Sequence, residues 1–104
     1  MIGTIWYNNF TKALLKLEDI KKEYRNCGIT VIKEMYQGVS NSLNMTVLFE
    51  NGDKWYLKKA YDLSCEARTN ISYIESTIPS DIVENTIKRC AFSSPYCEYQ
   101  EHFF

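Results

Sequence analysis

Proline and glycine are scarce in this 104-residue chain, with two of the first and four of the second. Low-complexity linkers and extended disordered tracts are thereby excluded, because such segments are rich in both. The glycines, Gly3, Gly28, Gly38 and Gly52, stand alone, and none precedes a Lys-Ser/Thr pair. A phosphate-cradling loop needs several together, so that backbone N–H groups can wrap the anion. Histidine is present once, as His102. It stands five residues from Cys97, a spacing that neither helix nor strand aligns for a nucleophile–base pair. Runs of about 20 apolar residues, the length of a membrane span, are absent, as is a basic leader before an apolar stretch. The expectation is a cytoplasmic protein with no membrane attachment. Its four cysteines, Cys27, Cys65, Cys90 and Cys97, are then expected to be reduced thiols. Cys65, Cys90, Cys97 and His102 lack the tight Cys-x₂₋₄-Cys spacing of structural zinc. No metal and no cofactor is expected.

Charge of one sign is not in excess overall, the net value being −1. Residues 1–59 carry nine Lys/Arg against six Asp/Glu, and residues 60–104 three against seven. Neither half has the cationic density that several simultaneous phosphate contacts require.

What the chain does have is aromatic residues: eight Tyr, five Phe and two Trp. The length suits one domain, residues 1–104, ending in an aromatic-rich tail over 92–104. Phe10, Ala13, Leu14, Leu17, Ile20 and Tyr24 recur at three- and four-residue intervals and predict an amphipathic helix. Asn8 or Asn9 caps its start, and Gly28 suits the left-handed position past its end. "ITVIKEMY" (29–36) reads as a strand with apolar residues on both faces, and "MIGTIWYNN" suits a short first strand. "NMTVLFE" and "KWYLKKAY" flank Asn51-Gly52, a hairpin signal. A two-residue turn there sets Leu48 opposite Trp55 and Val47 opposite Tyr56. Met45, Val47, Phe49 and Tyr56 then share one face, and Leu48, Trp55 and Leu57 the other. "NISYIE" is a further strand. "PSDIVENTIKRCA" is a second helix, with Pro79 and Asp81 in its first turn and Ile82, Val83, Ile87, Cys90 and Ala91 inward. The fold expected is α/β or α+β, a mixed sheet of about four strands packed by two helices.

Two sets of residues are candidates for function. Lys54, Trp55, Tyr56, Lys58 and Lys59, with Arg68 after them, interleave cations with rings. That pattern suits stacking on nucleic acid, an anionic protein surface, or a hairpin whose rings face the core while its lysines face water. Tyr99, Phe103 and Phe104 in the tail are candidates for an exposed interface, whose removal would leave thermal stability nearly intact. Glu75, directly after an apolar run, is the best single acid for chemistry, although a strand-end carboxylate more commonly reaches solvent.

The run from "TVLFENGDKWYLKKA" through "ARTNISYIES" to "IPSDIVENTIKRC", about residues 45–90, resembles the middle of the ATPase lobe of phage terminase large subunits. In that family a hairpin of this type precedes an Arg-Gly-rich step and a strand ending in Asp-Glu. Here the strand ends in Glu75-Ser76, the step survives only as Arg68, and the phosphate loop is missing. The resemblance therefore implies a scaffold without its chemistry, and no enzyme is expected. The Asn-, Ile-, Lys- and Tyr-rich style of the chain is also similar to small phage accessory proteins of low-GC bacteria. These commonly bind a macromolecule stoichiometrically, including as anti-CRISPR inhibitors of host defence. The function expected is non-catalytic binding of a protein partner, with a nucleic-acid or nucleotide-binding module as the alternative. A homodimer is compatible with either.

Overall fold

The structure is a computed structural model and describes residues 1–37, 44–60, 69–88 and 99–104. A six-stranded mixed sheet forms its middle layer. The strands are β1 (Ile2–Tyr7), β2 (Val31–Gln37), β3 (Asn44–Phe49), β4 (Lys54–Lys59), β5 (Ile71–Ile74) and β6 (Gln100–Phe103). Their order across the sheet is β2-β3-β4-β1-β5-β6. β1 runs parallel to β4 and β5, its two neighbours, and β6 is parallel to β5. β2, β3 and β4 form an antiparallel meander. The class is α+β, and the sheet has two strands more than the expected four. β1 corresponds to the short first strand expected at "MIGTIWYNN", and β6 is new, drawn from a tail without apolar period.

Helix α1 (Phe10–Asn26) begins and ends where its sequence directs. The Asn9 side chain accepts from Lys12 N at 3.2 Å, satisfying an amide that the first turn leaves open. At the other end Gly28 takes φ +77°, which lets Ile29 N reach Tyr24 O at 2.9 Å. Ala13, Leu17 and Ile20 lie against Ile5, Tyr7, Val47, Phe49, Trp55 and Leu57, making the larger core. On the opposite sheet face Trp6, Ala60 and Ile74 pack with Ile78, Val83 and Ile87. The last two come from a short helix α2 (Ser80–Ile82) that runs on into a π-helical turn, Val83–Ile87. Pro79 stands one residue earlier than expected, at the N-cap. Cys90 and Ala91, expected on the inner face of this helix, lie outside the described residues.

The hairpin exists, but its register differs from the expectation by one residue. Phe49 N donates to Asp53 O at 2.9 Å and Gly52 N to Phe49 O at 3.0 Å, so the loop is Glu50-Asn51-Gly52. Gly52 sits at φ +93°, the left-handed position of a three-residue loop with a bulge. Val47 therefore opposes Trp55, and Thr46 opposes Tyr56. A one-residue slip exchanges the two faces of a strand. Trp55 and Leu57 accordingly join Val47 and Phe49 under α1, and Tyr56 moves to the other side.

The tail is corrected as well. β6 pairs along β5 from Ile71/Gln100 to Ile74/Phe103, and Phe104 extends the ladder. Its N–H donates to Ile74 O at 3.0 Å, and its carbonyl accepts from Ser76 N at 2.8 Å. Residues 99–104 are thus built into the sheet. The rest of the tail lies outside the described residues. No helix among the described residues is long and apolar enough to cross a membrane.

Candidate functional site

Among the residues singled out on the hairpin, the core takes the ring of Trp55. It is 3% exposed, and its indole N–H donates to Tyr24 Oη at 3.0 Å. Tyr24 in turn stacks on Phe49, with ring centroids 3.8 Å apart, and donates to Asp53 Oδ2 at 2.6 Å. Asp53 also receives the N-terminal ammonium at 3.2 Å. Burial, with Asp53 adding to it, pushes the Tyr24 phenol up to about 12. Burial alone would raise the Asp53 carboxyl, but the Tyr24 hydroxyl and the ammonium outweigh it and hold it below its ordinary value.

The other candidates are dispersed. Lys58 is buried beside Trp6 on the opposite face, and Tyr56 and Lys59 are half-buried. Lys54 is exposed at the start of β4, and Arg68 lies outside the described residues. Tyr99 is half-buried and donates to Glu101 Oε1 at 3.0 Å, and burial raises its phenol. Phe104 packs against the larger core, whereas Phe103 is 61% exposed. The basic–aromatic set is therefore not one surface.

Glu75 lies at the carboxyl end of β5, beside the β1–α1 turn. Open α/β sheets place ligands in such a crevice, where neighbouring connections leave toward opposite faces. Here the crevice is sealed. Glu75 is 1% exposed, its Oε1 accepts from Asn9 N at 2.9 Å, and its Oε2 accepts from the Thr77 hydroxyl. The carboxylate also meets the positive end of α1. Its role in this geometry is to tie β5 to the start of the helix. At the β5–β6 end of the sheet, Ser76, Ile78, Val83, Glu84, Lys88 and Phe103 line a groove of about 370 Å³. No cluster of three metal-ligating side chains occurs among the described residues.

The exposed apolar surface concentrates on β2, which closes the meander as an edge strand. Ile32 is 61% exposed, Met35 39% and Tyr36 61%. The register shifts between Val31 and Lys33, so Ile32 is the extra residue of a bulge. Met35 and Tyr36 alternate, so both faces of the strand carry apolar area into solvent. The charges between them are Lys33 and Glu34. Glu34 accepts from Lys21 on α1, whose ammonium is also 3.5 Å from Glu18. Burial tends to lower the Lys21 pKa, but these two carboxylates raise it on balance. The sequence of "ITVIKEMY" reads as a strand with apolar residues on both faces, which leaves its place in the sheet open. The adjacent Lys33-Glu34 pair is the signal that distinguishes an edge strand, which uses charge against uncontrolled pairing.

The chain matches no protein-family model, no curated protein and no solved structure.

Proposed function

We propose that this protein acts by stoichiometric binding to another polypeptide, which adds a strand along the outer edge of β2. One observation carries the reading: Ile32, Met35 and Tyr36 are exposed together on a strand at the end of the sheet. Main-chain hydrogen bonds would supply affinity there, and the alternating side chains specificity. Stoichiometric inhibition of a host protein, the role implied by the likeness to small phage accessory proteins, belongs to this mode of action. It asks for no bond-breaking group, and the engagement of both Glu75 oxygens within the fold favours it over hydrolysis. The nucleic-acid alternative has less support, since Trp55 and Lys58 are withdrawn from the surface on which it relied.

The test is association of the intact chain with a polypeptide ligand, captured from a host lysate or supplied by its own solution. The double variant Ile32→Lys/Tyr36→Lys is expected to lose that association with its circular dichroism unchanged. Association indifferent to both substitutions would overturn the reading. So would binding to an oligonucleotide at low salt that weakens steeply as salt rises, the signature of phosphate contacts.

A further inference from the structure

The inner ladder of β2 determines what its outer edge can accept. In an antiparallel ladder, successive residues direct their N–H and C=O alternately to one neighbour and the other. Phe49 N donates to Asp53 O, toward β4, whereas Glu50 N donates to Thr30 O, toward the β2 side. By that alternation Leu48 and Thr46 address β2, and their partners Lys33 and Met35 address β3. Glu34 and Tyr36 are left with their backbone groups directed away from the sheet. Among the described residues no strand lies beyond them.

Resting on the reading of β2 as a strand-pairing edge, we infer that the strand it accepts is β2 of a second copy of this chain, antiparallel, with Met35 on the two-fold axis. The argument is one of register. Pairing about an axis normal to the sheet sets each face beside the same face of the copy, so the axis must pass midway between one residue of the strand and its own copy. Centred on Lys33, it sets Lys33 against Lys33, and centred on Glu34, it sets Glu34 against Glu34. Like charges directly opposite are destabilising. Centred on Met35, it sets thioether against thioether. Tyr36 of each copy then falls opposite Glu34 of the other, whose carboxylate Lys21 already neutralises. Lys33 falls opposite Gln37. The same register brings the outward backbone groups of Glu34 to those of Tyr36 on both sides of the axis, completing two hydrogen-bonded pairs. Centring on Tyr36 or beyond shortens the overlap. Met35 and Tyr36, exposed in the single chain, become the middle of the seam, and two six-stranded sheets join into one.

Cysteine scanning tests the axis directly. On the axis Met35 forms a non-hydrogen-bonded pair, with Cα atoms about 4.5 Å apart, within reach of a disulfide. Under mild oxidation Met35→Cys is expected to give a covalent dimer, mapped by mass spectrometry to residue 35 of both chains. Lys33→Cys and Glu34→Cys should stay at the wild-type baseline set by the four native cysteines. In sedimentation equilibrium the wild-type chain should dimerise, and Met35→Lys should raise the dissociation constant about tenfold or more. Cross-linking through residue 33 or 34 in place of 35, or a dimer indifferent to Met35→Lys, would overturn the inference. So would a wild-type chain that stays monomeric at its highest soluble concentration. If that monomer still bound a foreign polypeptide through Ile32 and Tyr36, the second copy alone would fall and the strand-pairing edge would stand.

Discussion

Gly3 and Trp55 occupy neighbouring strands in register, and the indole ring lies where a side chain on residue 3 would be. A Cβ built on Gly3 would come within 2.4 Å of Trp55 Cζ3. The close approach of β1 to that ring is what seats it beneath α1, within reach of Tyr24. Gly3→Ala is therefore expected to cost about 1–3 kcal/mol by overpacking, and Trp55→Ala about 3–5 kcal/mol by leaving a cavity. Urea denaturation measures both. In a Trp55→Leu background the cost of Gly3→Ala should shrink, which a double-mutant cycle reads as coupling.

The Tyr24–Asp53 contact predicts stability that falls at both ends of the pH scale. A carboxyl lowered on folding stabilises above its ordinary value of 3.8 and loses that contribution as pH falls through its folded value. A phenol raised from 10.0 to about 12 stabilises below 10.0 and loses its contribution as pH climbs toward 12. Asp53→Asn should flatten the acid limb. Tyr24→Phe should flatten the alkaline one and weaken the acid one, since the hydroxyl is what lowers Asp53. Denaturant midpoints measured across pH provide the check.

Glu75 is expected to matter for folding. Glu75→Ala removes the acceptor of the Asn9 N–H and the Thr77 hydroxyl and empties the place of a buried carboxylate, at a cost of about 1–3 kcal/mol. Glu75→Gln retains a carbonyl oxygen for Asn9 and should recover part of that loss. Neither variant should change association along β2. A change there with stability intact would show that the carboxylate serves binding.

Residues 99–104 should be needed for the fold. Removing them strips β5 of a neighbour and uncovers the core beneath Phe104, so a large fall in the thermal midpoint is expected. Phe103→Ser, at an exposed position of the same strand, should stay within about 0.5 kcal/mol of wild type.

Parts of this architecture are legible in the sequence because their signals are local. The apolar spacing from Phe10 to Tyr24, the Asn9 cap and the Gly28 terminus each act within a few residues, and α1 follows from them. The hairpin was legible as a hairpin but not in register. Asn51-Gly52 suits a two-residue turn and equally a three-residue loop with glycine last, and apolar residues on both sides of each strand could not arbitrate. β6 gave no signal, since parallel strands owe less to alternation than to what lies on either side of them. Glu75 was visible as an acid after an apolar run. The partners that hold it, Asn9 and Thr77, come from different turns and meet only in the folded sheet. The exposed edge of β2 is a fact of strand order, and its one local trace in the sequence is the adjacent Lys33-Glu34 pair.

Strand order has a temporal side as well. Ile2–Tyr7 is hydrogen-bonded between Lys54–Lys59 and Ile71–Ile74, so on a ribosome it emerges long before either flank exists. Until about residue 59 has left the exit tunnel, this apolar segment has α1 for company and nothing to zip against, and until about residue 74 it has one neighbour of its two. Closure of the central seam must therefore come late in biosynthesis, as folds dominated by distant pairings close slowly. A pause in translation before the first flank would hold the nascent chain in the state where a chaperone has most to grasp.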